Sequence, residues 1–134
     1  MARTKTTAEP LTPLELEIMK VLWETGPAAV QAVQERLAPE RKLAYNTVQT
    51  MLNVLQRKGK VTRELQGRAY VYAPEVSRVQ ASRQAVGDLV HRMFDGSAES
   101  LVLSLVETRQ LTPEKLAELS ALIDKSEEDG DERS

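Results

Sequence analysis

The sequence predicts a mainly α-helical protein with one small β-hairpin: three helices, the hairpin, then a wholly helical C-terminal region. Three observations predict it. Apolar residues recur every three or four positions through most of the chain, the period of a helix with one buried face. Between residues 61 and 73 the pattern changes to two short runs rich in β-branched and aromatic residues on either side of Gln66-Gly67-Arg68. Gly26-Pro27, Pro39, Gly59 and Pro74 fall between the segments, where residues that cap or break helices belong.

Residues 1–11 are polar without a period and are expected to form a flexible arm. Thr12-Pro13-Leu14-Glu15 supplies an N-cap threonine, a proline at the first helical position and a glutamate three residues after the cap, so a helix starts there. Its apolar stripe is Leu14, Ile18, Val21 and Leu22, with Trp23 beside it, and Gly26-Pro27 ends it. A second, short helix from about Ala28 to Ala38 presents Val30, Val33 and Leu37. The third, from Ala44 to Lys58, places Ala44, Val48, Met51, Leu52 and Leu55 on one stripe, and Gly59 stands where a left-handed C-cap belongs. Val61 to Leu65 and Ala69 to Ala73 are the expected strands. Beyond Pro74, Ser77 and Gln80 form a capping box ahead of the stripe Val86, Leu89, Val90, Met93 and Phe94, which ends at Asp95-Gly96. A helix from about Ser97 to Thr108 is apolar nearly all round, with Leu101, Val102, Leu103, Leu105 and Val106, and so needs burial on several sides. The last helix starts at Thr112-Pro113-Glu114 and carries Leu116, Leu119, Leu122 and Ile123; from Glu127 to Ser134 the chain is acidic and expected to fray into disorder.

Composition narrows the function. At 134 residues, 41% of them hydrophobic and 28% charged, the chain has the profile of an ordinary globular protein, of the length of one typical domain or of one small domain plus an appendage. It contains no cysteine, which excludes disulfides, thiolate metal sites and thiol redox sensing. No apolar run approaches the length of a membrane span, and no apolar signal core follows Met1-Ala2-Arg3-Thr4-Lys5, so a cytoplasmic location without membrane insertion is expected. The single histidine, His91, cannot build a usual zinc site without cysteines, and no metal or cofactor is expected. No nucleophile, base and orienting group come together in the sequence, so the expectation is not an enzyme.

Charge is unevenly spread. Residues 1–75 carry 11 Lys or Arg against 8 Asp or Glu, and residues 76–134 carry 7 against 12. Between residues 41 and 68 seven bases face one acid, Glu64. Turned at about 100° per residue, the side of the third helix opposite its apolar stripe holds Asn46, Gln49, Thr50, Asn53 and Arg57. Solvated helix faces usually mix in acids, and this one has none. A major groove calls for a helix whose outer face offers amide and hydroxyl groups to base edges, with cations at its margin for phosphates. Asn46, Gln49, Thr50 and Asn53 supply the first kind of group, and Arg57, Lys58, Lys60, Arg63 and Arg68 the second. Two helices and a turn followed by a hairpin make a winged helix-turn-helix, so residues 1–75 are expected to be a DNA-binding domain with the hairpin, residues 61–73, as its wing. Residues 76–134 are then a helical dimerisation domain, with Val86, Leu89, Val90, Met93, Phe94, Leu101, Val102, Leu105, Leu119 and Leu122 as its contact set. The same order of elements also suits a winged-helix module that docks on another protein without specific DNA binding.

The run from Ala44 to Leu52, followed by Leu55, Lys58-Gly59, Arg63 and Gly67 to Tyr72, closely resembles the penicillinase and methicillin-resistance repressor family. Leu11-Thr12 with Glu15, Glu17, Ile18, Met19 and Trp23, and Ser100 to Leu103 in the tail, are similar too, so the resemblance spans about residues 10–125. It implies a homodimeric winged-helix repressor on inverted-repeat operator DNA, often with TACA/TGTA-like half-sites, controlling antibiotic-resistance or metal-homeostasis genes. Thr47 and Thr50 match the family's recurring threonines on the recognition helix, whereas Asn46 and Gln49 stand where staphylococcal members carry basic residues. In the resistance repressors a membrane sensor-protease pathway cuts the tail, and the matching bond is Ser104-Leu105, where those members usually have Asn-Phe. The family's copper-responsive branch carries C-terminal cysteines that this chain lacks.

Overall fold

The computed structural model describes residues 9–133, with side chains through residue 128. Most of the expected flexible arm lies outside the described residues, but its last residue, Leu11, packs against the core. Helix α1 (Pro13–Thr25) opens with the capping box expected of it: Glu15 N–H donates to Thr12 Oγ1 at 3.3 Å and Thr12 N–H to Glu15 Oε1 at 2.9 Å. The sheet has a strand that the periodicity missed, β1 (Ala28–Ala29), so α2 (Val30–Leu37) begins two residues later than expected. Helix α3 (Tyr45–Arg57) follows, then β2 (Val61–Gln66) and β3 (Ala69–Pro74). The three strands are antiparallel in the order β1-β3-β2, with Ala28 opposite Tyr72 and Val61 opposite Pro74. This is the winged helix-turn-helix arrangement.

One core holds these elements together. Ile18, Met19 and Leu22 of α1, Val33 of α2, Val48, Leu52 and Leu55 of α3, and Val61 and Tyr72 of the hairpin are all at most 2% exposed. The α3 members fall at i, i+4 and i+7, one face of the helix, so burying that stripe turns the opposite face outward. Helix α3 ends in a Schellman motif: Gly59, at φ 78°, donates from its N–H to Gln56 O at 3.1 Å, and Lys60 N–H reaches Leu55 O at 2.9 Å. The chain is thereby reversed into β2.

The hairpin turns on two residues, since Gln66 pairs with Ala69. The turn is one residue shorter than the expected Gln66-Gly67-Arg68. Gly67 takes a φ of 65° and Arg68 does not share a positive φ, the pattern of a type II′ turn. That pairing sets Arg63, Leu65, Tyr70 and Tyr72 on one face of the wing and Glu64, the sole acid of the basic stretch, on the other.

Helix α4 (Arg78–Met93) carries the expected capping box, Gln80 N–H to Ser77 Oγ at 3.0 Å and Ser77 N–H to Gln80 Oε1 at 2.8 Å. The chain divides into two compact units within this helix, after Asp88. In the second unit lie the end of α4, then α5 (Ala98–Glu107) and α6 (Pro113–Arg133). None of its described residues is buried. Helix α6 runs on through the acidic stretch where fraying was expected, carried by its own backbone bonds after the apolar repeat has ended.

Candidate nucleic-acid interface

With Val48, Leu52 and Leu55 inside, Asn46, Thr47, Gln49, Thr50 and Arg57 are all exposed on α3. The helix has no acidic residue in its first turn, and its N-cap, Ala44, offers no side chain to the first amides. The partial positive charge of those N–H groups is therefore not offset by an acid of the first turn or by a capping side chain. Arg63 and Arg68 are exposed on the wing, and Arg57 and Arg68 form no ion pair among the described residues.

Three residues expected at this surface are engaged elsewhere. Asn53 is half-buried, and its Oδ1 accepts from the Tyr72 hydroxyl at 2.8 Å and from Arg63 Nη1 at 3.0 Å. Lys58 lies at the far end of α3, where its Nζ donates to both carboxylate oxygens of Glu15 at 2.9 Å. Lys60 is 4% exposed, so its ammonium is not offered to solvent. Burial, then the neighbouring charge of Lys58, hold the Lys60 pKa below the ordinary lysine value, against the opposing pull of Glu9, Glu15 and Asp88. Burial pushes the Glu15 carboxyl up, but the hydrogen bonds from Thr12 and Lys58 and the Lys58 charge outweigh it, leaving Glu15 below the ordinary carboxylate value. Lys58 and Glu15 thus tie the end of α3 to the start of α1. Sequence alone paired Glu15 only with its own cap; its basic partner stands 43 residues away, beyond the reach of any local pattern.

Tyr70 and Tyr72, which the sequence marked only through the family resemblance, also meet at this surface. The Arg63 guanidinium lies 4.2 Å from the centre of the Tyr70 ring, and the Tyr70 and Tyr72 rings are tilted against each other at 6.5 Å. A two-residue turn would have revealed this face, because only that register brings Arg63 opposite Tyr72.

Of the expected dimer contacts, Val86, Leu89, Met93, Leu119 and Leu122 are exposed, and Val90, Phe94, Leu101, Val102 and Leu105 are half-buried. The Ser104-Leu105 bond lies inside α5, with Ser104 O accepting from Thr108 N–H at 2.9 Å. Among the described residues no group of His, Asp and Glu could hold a metal ion, and no helix is long and apolar enough to cross a membrane.

A buried trihelical core, an outward polar recognition helix and a basic hairpin define a winged helix-turn-helix protein. Residues 11–125 match the penicillinase repressor family, and the chain belongs to it. It is 30% identical over 111 residues to the penicillinase repressor of Bacillus licheniformis, a match covering 83% of this chain and 87% of that one. It is 35% identical over 96 residues to the transcriptional regulator BlaI of Mycobacterium tuberculosis, covering 70% of each. The methicillin resistance regulatory protein MecI of Mammaliicoccus sciuri is 23% identical over 83% of this chain and 90% of its own. Among solved structures, the DNA-binding domain of the repressor BlaI is similar at 31% identity, with a TM-score of 0.48, over 52% of this chain and 85% of that one. The family is one of transcriptional repressors, not of enzymes.

Proposed function

We propose that this protein is a homodimeric repressor that binds inverted-repeat operator DNA, with α3 in the major groove and the β2-β3 hairpin along the adjacent backbone. The observation that carries the reading is the exposed face of α3, free of acids and backed by a fully buried stripe, in a chain of a repressor family. Asn46, Thr47, Gln49 and Thr50 are the base-edge contacts, and Arg57, Arg63 and Arg68 the phosphate contacts. The open first turn of α3 adds amides for a further phosphate.

The tail supports the dimer. Met93 is 71% exposed and Leu122 62%, on helices with no buried side chain among the described residues, an arrangement that favours a partner surface for the apolar stripes. Two readers joined through such a tail gain affinity for a palindrome by effective concentration, and repression follows from blocking polymerase access. Cleavage by a sensor-protease pathway at Ser104-Leu105 would separate the reader from part of that tail, and it requires α5 to open locally, because the bond is inside a helix. The protein acts in the cytoplasm on this reading, and the names of its relatives point to resistance genes as targets.

The test is fluorescence anisotropy of the full chain with labelled duplex from upstream of its own gene, over a series of salt concentrations. Three arginines per protomer predict a log-log salt slope near about −5 for the dimer. Binding to no duplex, or a slope shallower than about −2, would transfer the assignment to the protein-docking reading of the same face.

A further inference from the structure

Asn53 lies on the DNA-facing arc of α3, one turn after Gln49, where a base reader is expected. Its acceptor oxygen is spent twice, on the Tyr72 hydroxyl and on Arg63 Nη1. Arg63 in turn is fixed on two sides: Asn53 holds one nitrogen at 3.0 Å, and the Tyr70 ring lies under the guanidinium carbon at 4.2 Å. Arg63 as a residue nevertheless remains exposed. An arginine loses much rotamer freedom when it grips a phosphate, and one already held in place loses less. The other two expected arginines, Arg57 and Arg68, have no such support among the described residues. The four side chains span α3, β2 and β3, so the same contacts that steady Arg63 fix the wing against the recognition helix.

We propose that Arg63 is a DNA phosphate contact held ready at the seam between α3 and the wing, and that Asn53, with Tyr70, is the positioning residue that holds it there. Asn53 is then no reader of bases. The inference deepens the repressor reading and rests on it. The charge pattern agrees, because the wing register turns Glu64 to the face opposite Arg63, leaving the seam without a competing carboxylate.

The full-length protein and the Asn53→Ala, Tyr70→Leu, Arg63→Ala and Asn53→Ala/Arg63→Ala variants are compared by anisotropy on operator and on unrelated duplex, across salt. Thermal unfolding followed by circular dichroism confirms that each is folded. Arg63→Ala should make the salt slope shallower by about 2, one phosphate for each protomer. Asn53→Ala and Tyr70→Leu should weaken both duplexes alike, by about fivefold to tenfold, with the slope kept. Combined with Arg63→Ala, Asn53→Ala should cost nothing more, because the group it positions is gone.

Any of these variant results would overturn the proposal: a change of base preference at one operator position in Asn53→Ala, additive losses in the double variant, or an unchanged slope in Arg63→Ala. Side-chain NMR relaxation of Arg63 in the free protein separates this failure from failure of the repressor reading. Arg63 should be ordered in the unaltered protein and mobile in Asn53→Ala, and equal order in both refutes the clamp whatever the protein binds. Absence of salt-sensitive binding by the unaltered protein refutes the phosphate contact and the repressor reading together.

Discussion

Thr50 stands exposed at the middle of the α3 face, with Asn46 one turn before it and Val48 and Leu52 buried behind. A hydroxyl there gains nothing from packing, so its value lies in what it meets outside. Thr50→Ala should leave the unfolding midpoint within about 0.5 kcal/mol of the parent and weaken operator binding by about 1–3 kcal/mol, while binding to unrelated duplex is unchanged. Equal losses on both duplexes would show that Thr50 contacts backbone only. Glu15 presents the opposite case, a charge that faces inward. It is 2% exposed and grips Lys58 with both oxygens, so Glu15→Gln should destabilise the fold by about 2–3 kcal/mol, less than for a fully buried pair because Lys58 still reaches some solvent. Its carboxyl titrates below the ordinary value when folded. The folded state therefore binds fewer protons than the unfolded one in that window, and the stabilisation is complete above the unfolded pKa of about 4.3 and is lost as pH falls through the folded pKa. Urea midpoints measured from pH 6 down to pH 3 should fall more steeply for the parent than for Glu15→Gln.

At the scale of elements, helix ends give the sharpest contrast. Helices α3 and α5 end in the same motif, with Arg109 N–H on Val106 O at 3.1 Å and Gln110 N–H on Leu105 O at 2.9 Å in the second case. The left-handed position is glycine in α3, Gly59, but Arg109 in α5, at φ 62°. A side chain in that conformation costs about 1 kcal/mol, so Arg109→Gly should raise stability by about 0.5–1 kcal/mol, visible in the denaturant midpoint of the full chain. No change would mean that the arginine side chain makes a compensating contact. The elements legible in the sequence were those whose cause is local: the capping boxes at Thr12 and Ser77, the stripe of α3, and Gly59. Those missed are defined by distant partners. Two alanines have no strand signal of their own, and Ala28–Ala29 is a strand only because β3 lies beside it. Lys58, Lys60 and Asn53 each have a side chain suited to DNA; the partner or burial that occupies each comes from another part of the chain. The outward face of α3 was legible in the sequence; which of the candidate side chains other parts of the chain occupy was not.

For the whole molecule the division of labour can be tested by cutting it. Among the described residues every fully buried apolar side chain lies between Ile18 and Tyr72, so the core of the reader is complete before α4 begins. The indole of Trp23, however, donates from Nε1 to Val76 O at 2.9 Å, and Arg78 sits over the same ring at 5.5 Å. A fragment ending at Glu75, the boundary suggested by the sequence, loses both contacts, whereas one ending at Asp88 keeps them. Both should fold, with the shorter less stable by about 1 kcal/mol for the lost hydrogen bond. Neither has the apolar stripes of α5 and α6, so both should sediment as monomers where the full chain, on the proposed reading, should sediment as a dimer. The intramolecular advantage on a palindrome then disappears: operator affinity should fall by about a hundredfold or more, and the salt slope should halve, because one reader in place of two displaces half the counterions. A fragment ending at Asp88 that still dimerised would put the contact in the reader or in the first half of α4. A monomeric fragment with undiminished affinity would remove the need for a dimer altogether.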